Sequence, residues 1–324
     1  MSQKSPPIRA GNDKEALLAN VALLYYGDGL TQGEIARRMK VSRATIVNLL
    51  REARERGIVD IRVHGRYIAN TTLARDLRAR YGLSDVYVSR AGEEGRASRA
   101  DELAQLARVA GEALLDVLEP GDRLGIAWSE TIHRMALEIP RQAVPGVEVC
   151  QMVGSMVSSR ISAAETCAIE IANALSARCF TLHAPGVVAS RELAQIFLAE
   201  PTIRAQLERL DLLDLAVTSI GTLSPDTHLV AAGIATPDEL SAALAAGARG
   251  IVCCRYIDAE GEACRVAPDD RLIGIDIPTL RRARKRMLVV CGADRAHAVR
   301  AAIRGGLVSH LCLDYALAER LLAD

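Results

Sequence analysis

At 324 residues, half of them hydrophobic, the chain is too long for one typical domain and fits two, with enough apolar side chains for a sizeable core. Its eight cysteines include no CxxC pair and mostly lie in apolar stretches, which excludes a disulfide framework or a zinc site and reads as reduced, buried thiols. The formal net charge is zero, but residues 1–70 carry 12 Lys and Arg against 7 Asp and Glu while the remainder carries 28 against 33, so only the basic head is expected to meet a polyanion.

Residues 1–12 are polar, hold Pro6, Pro7 and Gly11, and read as a disordered start. Lys14–Tyr26 reads as a helix with Leu17, Leu18, Val21, Leu24 and Tyr25 on one face, ended by Gly27 and Gly29. Thr31 is a good N-cap, and Glu34 three residues on completes a capping box for a short helix to about Met39. Lys40–Val41 form a tight turn, Ser42 caps a helix to about Arg56, and Gly57 stops it. Ile58–His64 alternates and reads as a short strand or wing.

The segment from Gln32 to Arg51 has helix-turn-helix spacing. Ala36 is small where the helices cross, and Val41, Ile46 and Leu49 are apolar where the second helix packs on the first. Arg43, Ala44, Asn48 and Arg51 face outward, where an Arg pairs with guanine and an Asn with adenine in the major groove. Thr31 and Gln32 begin the first helix, where phosphate is favoured. With Ser42 and Thr45 they complete the candidate contacts to double-stranded operator DNA. Lys40 stands at a turn position that often holds Gly; a left-handed lysine is costly, so a slightly different turn is expected. Arg54 and Arg56 read as phosphate contacts or solvated charges.

Gly65–Thr72 is a candidate linker, which divides the chain into a head (1–64), a linker (65–72) and a large domain (73–324). Leu73–Tyr81 reads as a short helix. Strands are predicted at Asp85–Ser89, Arg123–Trp128, Val147–Val153, Arg178–His183, Leu215–Ile220, Gly250–Ile257, Met287–Cys291 and Leu311–Leu313. Helices lie between them, among them Asp101–Leu118, Ala164–Ala177, Pro237–Ala246 and Ala296–Arg304. This alternation predicts an α/β fold whose mainly parallel sheet is covered by helices on both faces, behind an all-α winged helix-turn-helix head.

Small or hydroxyl-rich turns follow the strand ends: Trp128–Thr131, Val153–Ser155, Ile220–Thr222 and Cys291–Ala293. Ligands of open parallel sheets bind beyond the carboxyl ends of strands, where backbone N–H groups, hydroxyls and helix N-termini suit an anion. His133 and His183 lack neighbours at metal-ligand spacing and read as structural. Ser129 has no Gly-x-Ser-x-Gly context, and Trp128 reads as core. The basic run Arg281–Arg286 reads as a solvated helix end or subunit contact before a second nucleic-acid site. Asp258 either binds sugar hydroxyls or caps a turn before Gly261, and both readings stand.

Taken together, these motifs resemble the SorC family of sugar-binding transcription regulators over nearly the whole chain. The resemblance is carried by the helix-turn-helix, Gly125–Thr131, Gln151–Gly154, Ser219–Gly221, Gly250–Asp258, Arg304–Leu307, and Asp314 with Ala318. It implies an effector domain similar to sugar-phosphate isomerases and deaminases, binding without turnover, in tetramers whose effector alters operator affinity. Thr131, Gly154, Gly221, Asp258 and Asp314 match the family pattern. Departures are Ser129 and Cys254 where the family often has Gly, Arg295 where it often has Lys, and Tyr315 where it often has an acid. An arginine still holds phosphate, and bidentately.

The candidate effector set is Ser129, Thr131, Gly154, Ser155, Gly221, Asp258 and Arg295, with no catalytic residue, metal or cofactor. The expected function is control of carbohydrate metabolism by a homo-oligomer, dimer or tetramer, whose operator binding answers to a sugar, polyol or sugar phosphate. The competing reading is a sugar-phosphate isomerase or deaminase fused to a DNA-binding head, which needs a positioned base that the sequence does not offer. A third is an architectural DNA-binding protein whose large domain only oligomerises; the pocket-like turns argue against it. Residues 1–16 lack the apolar run of a signal peptide, and no uncharged stretch approaches the roughly 20 residues that span a bilayer, so a cytoplasmic location without a membrane partner is expected.

Overall fold

The computed structural model describes residues 10–59, 61, 65–69, 71–90, 98–156, 164–224 and 227–323. The chain forms two compact units, Met1–Val63 and His64–Asp324.

The first unit is built on helices Ala10–Ala22, Gln32–Met39 and Arg43–Glu55, with a π-helical turn over Leu23–Gly27. The first helix thus begins within the stretch expected to be disordered; residues 1–9 lie outside the described residues. Val21, Leu24, Ile35, Ala36, Ile46 and Leu50 form its core. On the third helix the buried residues are Ile46, Leu50 and Ala53, spaced four and three apart along one face. Val41 is exposed, whereas half-buried Leu49 packs against this core beside fully buried Leu50. Lys40 takes the left-handed conformation itself, φ 56° and ψ 41°, so the tight turn survives without glycine. Of the expected wing, Ile58, Val59 and Ile61 are in no strand, and Asp60, Arg62, Val63 and His64 lie outside the described residues.

In the second unit, seven strands form one sheet: β1 (Asp85–Ser89), β2 (Arg123–Ile126), β3 (Glu148–Gln151), β4 (Arg178–Phe180), β5 (Leu215–Thr218), and, after a small sheet described below, β9 (Lys285–Val290) and β10 (His310–Asp314). Their order is β1-β10-β9-β5-β2-β3-β4, and every pair is parallel. β5 and β10 are buried along their whole length, as strands covered on both faces must be. The chain runs outward through β2, β3 and β4, then returns to the other side of β2 with β5. That reversal opens a crevice at the carboxyl ends of β2 and β5.

The small sheet is antiparallel: β6 (Ile220–Gly221), β7 (Gly250–Val252) and β8 (Arg255–Ile257). Two predicted strands are therefore redrawn. Leu215–Ile220 divides at Ser219, and Gly250–Ile257 folds back on itself. Val252 pairs with Arg255, so Cys253 and Cys254 are the whole of a two-residue turn, with φ of 49° and 64°. Such a turn needs positive φ at both positions, which Asn-Gly supplies and two cysteines adopt at about 1–3 kcal/mol each. The expected linker is also structured: Gly65–Ile68 is a short helix, and a Cβ on Gly65 would lie 3.1 Å from the Glu112 carbonyl oxygen, so it packs closely on helix Arg99–Val117. No helix among the described residues is long and apolar enough to cross a membrane.

Candidate functional site

The two units carry separate candidate sites. On the head, helix Gln32–Met39 starts at Thr31 with the anticipated capping box: the Thr31 hydroxyl accepts from the Glu34 N–H (3.3 Å), and the Glu34 carboxylate accepts from the Thr31 N–H (2.8 Å). These hydrogen bonds hold the Glu34 carboxyl below the usual range. Ser42 caps the next helix by accepting from the Thr45 N–H (3.0 Å), and the two hydroxyls share a 2.8 Å hydrogen bond. Arg43, Ala44, Thr45, Asn48 and Arg51 all lie exposed on this helix. Arg43 Nε donates to Gln32 Oε1 (3.3 Å), and Arg51 donates to Asn48 Oδ1 (3.2 Å). The outward polar groups thus hold one another in a row while remaining open to a partner. Arg56 instead pairs with Glu52 (2.7 Å), which also receives Lys14 (2.7 Å), so it braces the head.

In the second unit a cavity of about 340 Å³ lies in the crevice at the ends of β2 and β5, large enough for a small ligand. After β2 the chain passes through buried Trp128 to Ser129, whose hydroxyl accepts from the Ile132 N–H (3.1 Å) and caps helix Glu130–Glu138. Ser129 and Thr131 thereby set a helix N-terminus against the cavity. After β5 come Ser219, Gly221, Thr222, Ser224 and Thr227, four hydroxyls and a glycine along one wall. Arg99, the first residue of helix Arg99–Val117, lines the cavity too. That helix is fixed by a second capping box, Ser98 with Asp101.

Arg295 lies at the start of helix Ala296–Arg304. Its guanidinium donates to the Cys291 carbonyl and stands 3.5 Å from the Asp294 carboxylate. Buried Asp314 accepts from the N–H groups of Gly292 and Leu317, which ties this loop to the end of β10. The lining also includes less polar residues: Leu103, Ile251, Cys253, Cys254 and Cys291. Burial pushes the Cys254 and Cys291 thiols up to about 12, and Cys253 up as well, so all three are neutral at ordinary pH.

Four expected effector residues, Ser129, Thr131, Gly221 and Arg295, therefore meet in one cavity. Gly154, Ser155 and Asp258 do not line it. A Cβ on Gly154 would sit 2.6 Å from the Pro185 carbonyl oxygen, and its N–H donates to Ile273, so this glycine serves a close backbone approach. The Ser155 N–H likewise donates to the Ala184 carbonyl (2.8 Å). Asp258 accepts from the N–H groups of Glu260 and Glu262 (2.9 Å each), which makes it the cap of a turn. His133 and His183 lie outside the cavity, and the described residues hold no cluster of metal ligands. The basic run after residue 280 is engaged within the fold: Arg281 with Glu262, Arg282 with Asp211, Arg284 and Lys285 with Glu119 and Asp122, and Arg286 with backbone carbonyls. Sequence reasoning missed Arg99 and the Ser224 and Thr227 hydroxyls; the Ser98–Asp101 capping pattern was the one available signal for Arg99.

The family described as "Putative sugar-binding domain" matches residues 65–323, and the MarR family matches residues 21–66. An uncharacterized transcriptional regulator of Escherichia coli, YjhU, is 34% identical over 93% of this chain and 92% of its own. The deoxyribonucleoside regulator of Bacillus subtilis is 28% identical over 96% of this chain and 99% of its own. The crystal structure of the full-length sorbitol operon regulator SorC from Klebsiella pneumoniae superposes with a TM-score of 0.75 at 25% identity, covering 95% of this chain and 98% of that one. All three are described as regulators, which agrees with the regulatory reading and not with the isomerase one. With a helix-turn-helix at one end and a crevice-sited cavity in the parallel sheet of the other, the chain belongs to the SorC family of sugar-binding transcriptional regulators.

Proposed function

We propose that the cavity beyond β2 and β5 is the effector site and that its occupant is a phosphorylated sugar or polyol. The observation that carries this reading is the pairing of two guanidinium-bearing residues, Arg99 and Arg295, with helix N-terminal turns in a cavity whose remaining polar lining is six hydroxyls and the carboxylates of Glu130 and Asp294. Cations and helix N-termini both favour an anion, while Ser129, Thr131, Ser219, Thr222, Ser224 and Thr227 suit the hydroxyls of a sugar. Asp294 is the present counter-ion of Arg295, and a phosphate would compete with it for the guanidinium. On the head, Thr31, Gln32, Ser42, Arg43, Ala44, Thr45, Asn48 and Arg51 are the proposed DNA contacts. A cytoplasmic dimer or tetramer completes the proposal.

The test is calorimetry on the wild type and Arg295→Ala with a sugar and its own phosphate, chosen from a thermal-shift screen that reads ligand binding as added stability. Loss of a charge-assisted contact is expected to cost the phosphate about 1.5–3 kcal/mol and to leave the neutral sugar nearly unchanged. Equal losses for both ligands, or none for either, would remove Arg295 from the site.

A further inference from the structure

We propose that Asp294 is a built-in competitor of the effector: its carboxylate shares Arg295 with the effector's anionic group and thereby sets how much effector is needed to occupy the site. This rests on the assignment of the cavity as the effector site. Asp294 and Arg295 both line the cavity. Their side chains bend back over Gly292, where a Cβ would collide with Asp294 Oδ1 and lie 2.8 Å from Arg295 Nη1, so a bare glycine lets the two charges meet. Nη1 donates to the Cys291 carbonyl and stands 3.5 Å from Asp294 Oδ1. Nε and Nη2 have no partner among the described residues, although only 21% of the Arg295 side chain is exposed.

This contact is readily exchanged. It is a single one of 3.5 Å, without the fork of two hydrogen bonds that makes an arginine–carboxylate pair strong, and the Asp294 side chain is 56% exposed. Such a pair holds the guanidinium only weakly. Tethered one residue away, however, the carboxylate pays no translational or rotational cost to return, so every anion that enters must compete with it. Once displaced, Asp294 remains in the lining and repels the ligand in proportion to the ligand's charge. A neutral sugar meets neither effect. Glu130, the other carboxylate of the lining, pairs with Arg134 (3.7 Å), which leaves the competition for Arg295 to Asp294. The start of helix Ala296–Arg304 favours either anion and does not choose between them.

The experiment is calorimetry on the full chain at fixed pH and ionic strength. Three probes share one skeleton and rise in charge: glucose, glucuronate and glucose 6-phosphate. Inorganic phosphate probes the anion subsite alone. Asp294→Asn keeps the shape of the side chain and removes its charge. It should tighten glucose 6-phosphate and inorganic phosphate by about two- to fivefold, the worth of a half-exposed ion pair, tighten glucuronate less, and leave glucose unchanged. Asp294→Glu, which keeps the charge, should stay near the wild-type values. In the Arg295→Ala background the gain from Asp294→Asn should shrink, because no guanidinium is left to share. The same gain in that background would make Asp294 a repelling charge alone and overturn the competition. Equal gains for all four probes, or none, would overturn it too. Phosphate affinities that Arg295→Ala leaves unchanged would overturn the effector reading itself, whereas a loss in Arg295→Ala with no gain in Asp294→Asn would overturn only the competition. Absence of binding by both phosphates, to the wild type and to every variant, would count against both.

Discussion

Arg43 is the side chain from which we expect a base contact. It is exposed near the start of its helix, and its Nε already donates to Gln32, which leaves the terminal nitrogens of the guanidinium free to turn toward a base edge. A bidentate arginine contact is worth about 1–3 kcal/mol of discrimination. Arg43→Ala is therefore expected to relax preference at one operator position while other positions keep theirs, measured by binding to a set of single-base operator variants. A uniform loss across all sequences, with a shallower salt dependence, would make Arg43 a phosphate contact instead. At the same scale, Asp258 marks how far a residue type can be read from sequence. A carboxylate two residues before a glutamate and three before a glycine fits both a sugar ligand and a turn cap, and only its two backbone donors at 2.9 Å decide for the cap.

Two of the turns built on non-glycine residues, at Lys40 and at Cys253–Cys254, are where elements depart from their sequence signals. Lys40 closes the helix-turn-helix in the left-handed region, with the Val41 N–H donating to the Ala36 carbonyl (3.0 Å). That conformation costs a lysine about 1–2 kcal/mol, and the greater freedom of an unfolded glycine returns roughly 0.5–1 kcal/mol of any gain. Lys40→Gly should thus stabilise the head by about 0.5–1 kcal/mol, seen as a higher denaturant midpoint for its transition; a lower midpoint would mean that the lysine side chain contributes more than its backbone costs. The helices, the parallel sheet and the strand-end turns were legible because capping residues and apolar periodicity are local. The β7–β8 hairpin was not. Its apolar run continues through Cys253 and Cys254 with no Gly, Asn or Asp to announce a turn, so it reads as one buried strand. Arg99 was missed for another reason: the Ser98–Asp101 capping pattern marks a helix start, but only the folded sheet brings that start to the ends of β2 and β5.

At the scale of the whole molecule, the expected mode of DNA binding bears on assembly. The basic residues of the head face a small target, because one recognition helix reaches only a few base edges. Adequate specificity then calls for two heads on two half-sites related by a two-fold axis, and hence for self-association through the larger unit. That unit leaves apolar side chains in solvent on helix Arg191–Ala199, where Ala194 is buried while Leu193, Ile196 and Leu198 are exposed, Ile196 by 61%. Leu193 and Ile196, three residues apart, share one face of this helix, and that face is where we expect copies of the chain to meet. We expect a dimer or tetramer in sedimentation, bound to a near-palindromic operator whose half-sites are spaced by whole turns of the duplex. Ile196→Glu, at an exposed position where the fold itself has little at stake, should shift the population toward smaller species and weaken operator binding with it. If the wild type sediments as a monomer and binds its operator tightly in that form, the requirement for paired heads fails. If Ile196→Glu leaves the assembly intact, the association surface lies elsewhere on the unit.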